Sequence, residues 1–307
     1  MSAIVVIGNF DGVHRGHAAV LAEARREADS RGLDVALLTF APHPRAVMGA
    51  SAPPELTALA RKRTLVGRID PRARVVVHTF DLAYAAQSPR DFAARLAREL
   101  EAKVVVVGRN FRFGKDRAGD FDVLTALGAE LGFTTRSVEL VGDEGGSFSS
   151  SRIRKAIAEA DLELAERLLG RPHQLSGTVV HGKKLGRTIG FPTANLGGVS
   201  EMLPPFGIYA VTVDDADASR ALAKGVMNVG TNPTTDADLA VKVEVMLFDF
   251  DGDLYGRRLD VQLVKFLREE RRFGSLDALV HQMGADVAAA KSTLAPLEAN
   301  AARGTFG

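Results

Sequence analysis

The pattern of hydrophobic residues changes near Gly170, and this change limits the possible folds more than any other feature of the chain. Before it, short β-branched runs alternate with helical patterns; the runs are Ala3–Ile7, Val35–Phe40, Val75–His78, Val104–Val107 and Thr135–Val141. Alternating strands and helices are typical of a doubly wound parallel sheet. Residues 1–170 are therefore expected to form an α/β, Rossmann-like domain, in which ligands bind beyond the carboxyl ends of the strands.

The helical patterns of this first part are Ala18–Ala28, Pro89–Glu101 and Ser151–Leu169. Ser88 supplies a hydroxyl N-cap to the second pattern, and Pro89 suits its first helical position. Gly170 ends the third pattern, and a proline follows two residues later, which together form a stop signal. We place a domain boundary at Gly170.

After Gly170 the chain contains strand-like runs without long helices between them. The runs are Leu175–Val180, Ile208–Val213, Gly225–Val229, Val241–Phe250 and Leu259–Phe266. Such a series predicts an antiparallel sheet, closed into a small β-barrel, over residues 171–307. We expect Asp251-Gly252 to turn one strand into the next as a hairpin. A terminal helix should begin near Ser275, with an apolar face formed by Leu276, Leu279, Val280, Met283 and Val287.

Composition excludes several classes of protein. The formal net charge of the 307 residues is only +1, which argues against nucleic acid or an anionic membrane as the partner. The absence of cysteine excludes disulfides and thiolate metal sites. There is no apolar run of the length that spans a bilayer, and the apolar run Ala3–Ile7 is expected to be a strand rather than a signal peptide. We expect a cytoplasmic protein; an oligomer is possible but nothing indicates one.

The segment "VVIGNFDGVHRGH", Val5–His17, predicts an anion site. A strand leads into a glycine-rich loop and then a helix, whose first amides can face a phosphate. His14 and His17 lie near the first turn, where imidazoles can stabilise charge on phosphorus. The expected phosphate-binding residues of the loop are Gly8, Phe10, Asp11, Gly12 and Gly16. From the residues alone, two alternatives stay open: a histidine that only caps the helix, and a His-x-x-His metal pair, for which no third ligand is evident.

A second glycine-rich segment, "GTVVHGKKLGRTIGFPTANL", spans Gly177–Leu196. Its glycines form another cradle, and basic residues lie beside it; the expected nucleotide contacts are Gly182, Lys183, Gly186 and Arg187. The side-chain oxygens of Thr193 and Asn195 suit a hard cation such as Mg²⁺. Glu244 falls on the strand face opposite the valines, where periodicity alone favours a solvent-facing carboxylate paired with Lys242.

These segments resemble two known families in order along the chain. "GNFDGVHRGH", "TFAPHP", "VVGRNFRFGKDRAGD" and "FSSSRIRKAI" are similar to nucleotidylyltransferases of the bacterial FAD synthetase form. "GKKLGRTIGFPTANL", "GVMNVGTNPT" and "EVMLFDFDGDLYGRRLDV" resemble the flavokinase signature. The two likenesses cover nearly the whole chain, so it is similar to the prokaryotic bifunctional riboflavin kinase/FAD synthetases.

The resemblance assigns roles to particular residues. In the nucleotidylyltransferase part it implies that His14 and His17 are catalytic and that the ATP phosphates are held by Ser149, Ser150, Ser151 and Arg154; threonine is usual at the position of Ser151. Asn110 and Phe111 would contact the flavin nucleotide, with a purely structural loop as the alternative. In the kinase part, Glu244 would be the general base, and Met246 replaces a histidine often found there. Arg271 would contact flavin or nucleotide, or else flank the last helix.

The function implied by the resemblance has two steps. Riboflavin and ATP would give FMN and ADP in residues 171–307, and FMN and ATP would give FAD and pyrophosphate in residues 1–170, with Mg²⁺ as cofactor. Two alternatives are a riboflavin kinase whose N-terminal half is an inactive scaffold, and a flavin- or nucleotide-binding regulator without turnover. The pairing of a possible base, Glu244, with the two histidines argues against the regulator, because binding alone requires neither.

Overall fold

The computed structural model describes residues 2–139, 141–182, 190–231 and 241–297. The chain forms two compact units, Met1–Ser150 and Ser151–Gly307. The helices are α1 (Arg15–Arg31), α2 (Pro44–Val47), α3 (Leu59–Ile69), α4 (Leu82–Ala85), α5 (Pro89–Glu99), α6 (Phe121–Leu131), α7 (Ser150–Ala158), α8 (Leu162–Leu169) and α9 (Leu276–Leu294), with a 3₁₀ turn at Lys115–Arg117. The strands are β1 (Ala3–Ile7), β2 (Asp34–Ala41), β3 (Arg74–Thr79), β4 (Ala102–Gly108), β5 (Thr134–Val138), β6 (Gly142–Asp143), β7 (Gly146–Ser147), β8 (His173–Val180), β9 (Ala194–Gly197), β10 (Gly207–Asp215), β11 (Arg220–Thr231), β12 (Val241–Leu247) and β13 (Arg258–Glu269).

The first unit contains a five-stranded parallel sheet in the order β3-β2-β1-β4-β5. The chain winds from β1 through β2 to β3 on one side, and then continues with β4 and β5 on the other. The predicted doubly wound parallel sheet is confirmed. The strand order reverses between β1 and β4, and the carboxyl ends of strands at such a point form a crevice where ligands bind.

Residues of β1 alternate between two hydrophobic cores. Val5 packs in one core with Phe92 and Leu96 of α5, whereas Val6 packs in the other with Leu21 of α1. Burial on both faces is what the uninterrupted apolar run predicts for a central parallel strand. The carboxyl end of β1, from which the glycine-rich loop leaves, therefore lies on a fully packed base.

The expected helix signals at Ser88 and Gly170 are confirmed. The Ser88 hydroxyl accepts a hydrogen bond of 3.1 Å from the Asp91 amide at the start of α5. Gly170 ends α8 in the left-handed conformation, with φ of 78°, and its amide donates to the carbonyl of Glu166. The two compact units divide before this glycine, so the boundary at Gly170 stays a prediction about the functional domains.

The expectation of one helix over Ser151–Leu169 is wrong, because the chain breaks between α7 and α8. Ala160 has a φ of +56°, outside the right-handed helical region. Asp161 then caps α8, its carboxylate accepting a hydrogen bond of 2.9 Å from the Leu164 amide. A short acidic side chain competes in this way with the helical backbone and favours a new N-terminus.

The second unit contains a closed barrel in the order β10-β11-β12-β9-β8-β13, with β13 pairing back to β10. The predicted closed antiparallel barrel is confirmed. Val243 and Val245 are buried in its interior together with Met227 and Val229. Residues between these positions on β11 and β12 consequently point to the outside of the barrel.

The hairpin expected at Asp251-Gly252 is wrong. β12 pairs with β11 and β9, whereas β13 pairs with β10 and β8, so the segment between β12 and β13 joins strands that are not neighbours. The place beside β12 is taken by β9, a strand of four residues that the hydrophobic pattern did not indicate. A dipeptide that favours a turn does not determine which strands pair beyond it.

The apolar face expected for the last helix is also wrong in part. Leu276 is 59% exposed, and the buried residues of α9 are Asp286, Ala290 and Leu294. Asp286 accepts hydrogen bonds of 2.8 and 2.6 Å from the Nε and Nη2 atoms of Arg268 on β13. A buried ion pair therefore attaches the middle of this helix, and apolar packing holds mainly its C-terminal half.

Candidate active sites

The loop after β1 is sharply folded. Phe10, Gly12 and Val13 all have positive φ, of 48°, 87° and 41°. Such backbone is unfavourable for Phe and Val, so the surroundings must hold it in place. The Phe10 side chain is only 4% exposed and fills the space beneath the loop. A Cβ at Gly8 would lie 3.1 Å from the Phe10 ring, which explains the small residue where the strand ends.

Asp11 attaches this loop to a distant segment. Its carboxylate is 8% exposed and accepts hydrogen bonds from the amides of Leu56, at 3.0 and 3.1 Å, and Thr57, at 3.1 Å. The Asp11 carbonyl accepts a bond of 2.8 Å from the hydroxyl of Ser150. Asp11 thus orders the loop through two backbone amides, and it brings one of the expected phosphate-binding serines to that loop.

Lys62 is a buried cation below the same loop, and the sequence analysis missed it. Its Nζ donates a hydrogen bond of 2.6 Å to the Asn9 carbonyl. Burial lowers the pKa of Lys62, while the negative charges of Asp11 and Glu55 oppose that change. The sequence signal that could have revealed its burial is the spacing of three residues between Lys62 and Leu65, which places both on the same face of α3.

His14 and His17 form a reciprocal cap at the start of α1. The His17 amide donates to Nδ1 of His14 at 3.4 Å, and the His14 amide donates to Nδ1 of His17 at 3.3 Å. The rings stack with centroids 3.6 Å apart, and Phe10 stacks on His17 at 4.3 Å. With Nδ1 as the acceptor, the neutral ring carries its proton on Nε2, which is then a donor. The two histidines can therefore cap the helix through Nδ1 and still offer Nε2 as a hydrogen-bond donor to phosphate.

Gly16 and Phe148 are in close contact. A Cβ at Gly16 would lie 3.3 Å from Cβ of Phe148 and 3.1 Å from the His14 ring. The Arg15 guanidinium lies 4.9 Å from the centre of the Phe148 ring. These contacts hold the segment that continues into Ser149. Ser151 and Arg154 follow in the first two turns of α7, the helix that begins at Ser150.

Asn110 and Phe111 follow β4, the neighbour of β1, after one intervening residue. They therefore follow the carboxyl end of a strand at the point where the strand order reverses. Asn110 is exposed. The Phe111 ring stacks on Phe113 with centroids 5.5 Å apart and lies 6.3 Å from Phe92. An aromatic cluster thus fixes Phe111, while Asn110 remains available at the edge.

Gly182 and Asn195 lie together in the barrel unit. A Cβ at Gly182 would lie 2.3 Å from Nδ2 of Asn195. Thr193 directly precedes β9, and Asn195 is its second residue; both side chains are half-buried. Three further residues expected to bind nucleotide lie outside the described residues, namely Lys183, Gly186 and Arg187.

Glu244 is paired with Asn195 across β12 and β9. Because Val243 and Val245 point into the barrel, Glu244 points outward, on the same side of the sheet as its cross-strand partner. Adjacent strands lie about 4.8 Å apart, so the two side chains are neighbours. In the part of the chain that the structure describes, no ion pair joins Glu244 to Lys242.

Arg271 lies in the segment before α9. Its guanidinium donates to the side-chain carbonyl of Gln282 and stands 5.0 Å from the centre of the Phe273 ring. These contacts attach it to the N-terminal half of the last helix.

The donor atoms near Glu244 fit a hard cation. Thr193 offers a hydroxyl and Asn195 an amide oxygen, beside a carboxylate one strand away. Within the described ranges, no group of three or more His, Cys, Asp and Glu side chains is arranged to hold a metal ion. A cation at this site would consequently take further ligands from water or from nucleotide phosphates, as Mg²⁺ commonly does.

Comparisons with known proteins match two families to separate parts of the chain. A family model described as FAD synthetase matches residues 1–152, and one described as riboflavin kinase matches residues 169–294. The bifunctional riboflavin kinase/FMN adenylyltransferase of Pseudomonas fluorescens is 43% identical over 296 residues, covering 95% of this chain and 93% of the relative. The protein of the same name from Escherichia coli K12 is 41% identical, with coverages of 92% and 90%.

A solved structure from Streptococcus pneumoniae, described as a macrolide-efflux protein, is also similar. It has a TM-score of 0.80 at 31% identity and covers 93% of this chain and 92% of its own. Among the residues described here, no helix has the length and apolarity needed to cross a membrane. Because relatives of this name match it over nearly their full length and both family models match it, this chain belongs to the family of bifunctional riboflavin kinase/FMN adenylyltransferases.

Proposed function

We propose that this protein makes FAD from riboflavin in two ATP-dependent steps. Its barrel unit transfers the γ-phosphoryl group of ATP to riboflavin, and its N-terminal unit transfers the adenylyl group of a second ATP to the FMN formed. The observation that carries this proposal is that each family match falls on a separate part of the chain with its own glycine-rich segment. Two such segments fit two nucleotide substrates.

In adenylyl transfer, a phosphate oxygen of FMN attacks the α-phosphorus of ATP in line, and pyrophosphate leaves. No covalent intermediate with the protein is required, so positioning and charge stabilisation account for catalysis. The first amides of α1 and the Nε2 donors of His14 and His17 would stabilise the developing negative charge. Further phosphate contacts are assigned to Gly8, Gly12, Gly16, Ser149, Ser150, Ser151 and Arg154, and flavin contacts to Asn110 and Phe111.

In the kinase step, Glu244 accepts the proton of the terminal ribityl hydroxyl as its oxygen attacks the γ-phosphorus, and ADP leaves. Gly182 with Lys183, Gly186 and Arg187 would hold the nucleotide, and Arg271 would contact nucleotide or flavin. Thr193 and Asn195 would hold Mg²⁺, which neutralises phosphate charge when it is bound. The adjacency of Asn195 and Glu244 supports this arrangement, because it places a cation ligand beside the base.

The test is a single incubation of the whole protein with riboflavin, ATP and Mg²⁺, followed by chromatography of the flavins. FAD is the expected final product, with FMN as an intermediate. FMN without FAD would indicate a kinase with an inactive N-terminal scaffold. Bound but unchanged riboflavin would indicate a regulator and contradict the proposal.

We also propose that the two functional domains meet near Gly170, and truncation tests this boundary. Leu162 of α8 is buried in the hydrophobic core of the barrel, so a fragment of residues 171–307 loses a packing partner that residues 151–307 keep. Kinase activity in the shorter fragment supports the boundary at Gly170. Activity in the longer fragment alone would move it to the division between compact units at Ser150.

A cytoplasmic location belongs to the same proposal. The sequence has no cysteine and therefore no requirement for an oxidising compartment. The expected partners are small molecules only, because a net charge of +1 provides little attraction for nucleic acid.

A further inference from the structure

Asn228 on β11 has an unsatisfied polar atom beside the proposed base. Its side-chain Oδ1 is buried and, among the described residues, has no hydrogen-bond partner. A buried acceptor without a donor destabilises the folded protein by the cost of removing it from water. Such an atom therefore indicates a group that is supplied from outside the described protein.

The position of Asn228 follows from the strand register. Asn228 is paired with Glu244 across β11 and β12, and Glu244 is paired with Asn195 across β12 and β9. Met227 and Val229 are buried in the barrel core, so Asn228 points outward. The three polar side chains form one row on the outside of the barrel, with Glu244 in the middle.

The chemistry of Oδ1 restricts what it can bind. An amide oxygen only accepts hydrogen bonds, and so do the oxygens of an ionised polyphosphate, so the two cannot pair with each other. A hydroxyl group can donate to it. Asn195, the expected cation ligand, lies on the other side of Glu244, which leaves the Asn228 side of the base for the alcohol substrate.

We propose that Oδ1 of Asn228 accepts a hydrogen bond from the substrate hydroxyl next to the reacting one, and so positions the polyol chain of riboflavin at Glu244. This inference depends on the proposed kinase function of the barrel unit. It makes Asn228 a substrate-binding residue that selects for an acceptor with neighbouring hydroxyls. Loss of one well-placed partner of a substrate hydroxyl typically costs about 10- to 100-fold in kcat/KM.

The test combines one substitution with one substrate analogue in the full-length protein. Asn228→Leu keeps the approximate shape and removes the acceptor, and a deoxyriboflavin lacking the hydroxyl next to the terminal one removes the donor. Wild-type protein should use the analogue about 10- to 100-fold less efficiently than riboflavin. Asn228→Leu should show a similar loss with riboflavin and little further loss with the analogue, because the two changes remove the same interaction.

Two controls separate this result from damage to the fold. Thr212→Val removes an outward-facing hydroxyl on β10 of the same barrel, where Thr212 bonds Gln262 at 2.9 Å, and should keep wild-type kinase kinetics. Conversion of FMN to FAD reports on the rest of the molecule and should be unchanged. If Asn228→Leu fails to fold, Asn228→Ser with the same pair of substrates replaces it.

The inference is overturned if the variant matches wild type with riboflavin, or if the losses from variant and analogue multiply independently. It is also overturned if the variant raises only the KM for ATP or the Mg²⁺ requirement, which would make Asn228 a ligand of the nucleotide or cation. Failure of the proposed function itself looks different, because wild-type protein would then form no FMN.

Discussion

Gly182 and Asn195 are so close that a Cβ on the glycine would lie 2.3 Å from Nδ2 and 2.8 Å from Cγ of the asparagine. Asn195 is also paired with Val180, two residues before Gly182, so the backbone of β9 has little freedom to move away. A side chain at position 182 must therefore displace the amide group of Asn195. The glycine is required here for close approach rather than for an unusual backbone angle.

From this contact we expect Gly182→Ala to lower the kcat/KM of riboflavin phosphorylation by about 100-fold, the typical effect of displacing a positioning group by about 1 Å. The Mg²⁺ concentration for half-maximal activity should rise, which a titration measures. Gly284→Ala in α9 is the matched control, because a Cβ there meets no atom within 4 Å. Unchanged Mg²⁺ dependence in Gly182→Ala would remove Asn195 from the cation site.

Glu244→Gln should separate the two activities. The amide has nearly the same shape as the carboxylate but cannot accept the hydroxyl proton, and loss of a general base typically slows a reaction by about 10²- to 10⁴-fold. FMN formation should therefore fall by this factor while conversion of added FMN to FAD is preserved. Loss of both steps together would contradict the assignment of Glu244 to one site.

His17→Ala should have the opposite pattern. It removes the Nε2 donor and also the ring that caps the His14 amide. We expect FAD formation from FMN to fall by about 100-fold, and the free energy of unfolding to fall by about 1 kcal/mol through loss of the cap. His17→Asn, whose side chain can still cap, separates the two effects. An FAD yield equal to wild type in both variants would exclude His17 from the chemistry.

Asp11→Asn tests the connection between the loop and Leu56. The carboxylate accepts three bonds from backbone amides, whereas the amide group of asparagine turns a donor towards one of them. We expect a loss of about 1–3 kcal/mol in the free energy of unfolding, with reduced FAD formation and unchanged FMN formation. Asp122→Asn, at an exposed position in α6, serves as the control. Equal stability of the two variants would contradict this role of Asp11.

His78 should make the protein less stable in mild acid. Burial lowers the pKa of His78 from its ordinary value of 6.5, with the charge of Glu99 opposing and that of Arg95 reinforcing the change. As the pH falls below 6.5, the unfolded chain binds a proton that the native state does not yet bind, so stability decreases until the native histidine is protonated too.

Denaturation midpoints at pH values on either side of that pKa measure the effect. Wild type should lose more stability on acidification than His78→Gln, whereas His281→Gln at an exposed position should behave like wild type. An acid sensitivity that His78→Gln leaves unchanged would show that other groups cause it.

Hydrophobic periodicity was sufficient to predict the fold class of both units. The predicted first strand has the observed bounds of β1, and the two hydrophobic patterns correctly distinguished a parallel sheet from a barrel. Pairing between strands was not predictable in the same way. Asp251-Gly252 has the local chemistry of a hairpin turn, yet β9 occupies the position next to β12, because pairing depends on the packing of distant segments.

The candidate sites show the same limit. The glycine-rich segments are visible in the sequence because their clustered glycines are unusual. Glu244 was assigned as a base only through the family resemblance, since periodicity alone favoured a solvent-facing carboxylate. Lys62 was missed because a lysine in a helix is normally solvated, and only the tertiary fold buries it under Asn9. Asn228 stands between the buried residues Met227 and Val229, so the sequence pattern is consistent with an outward-facing strand position. Its importance depends on the strand register, which places it opposite Glu244.

Closure of the barrel has a consequence for self-association. Each of its six strands has a hydrogen-bonded neighbour on both sides, so among the described residues the barrel has no edge strand, although β9 pairs with only two residues of β12. The parallel sheet, in contrast, ends at β3 and β5. Aggregation by strand addition should therefore begin at those two edge strands. Because β3 contains three consecutive valines, a charged substitution there is the first choice for preventing it.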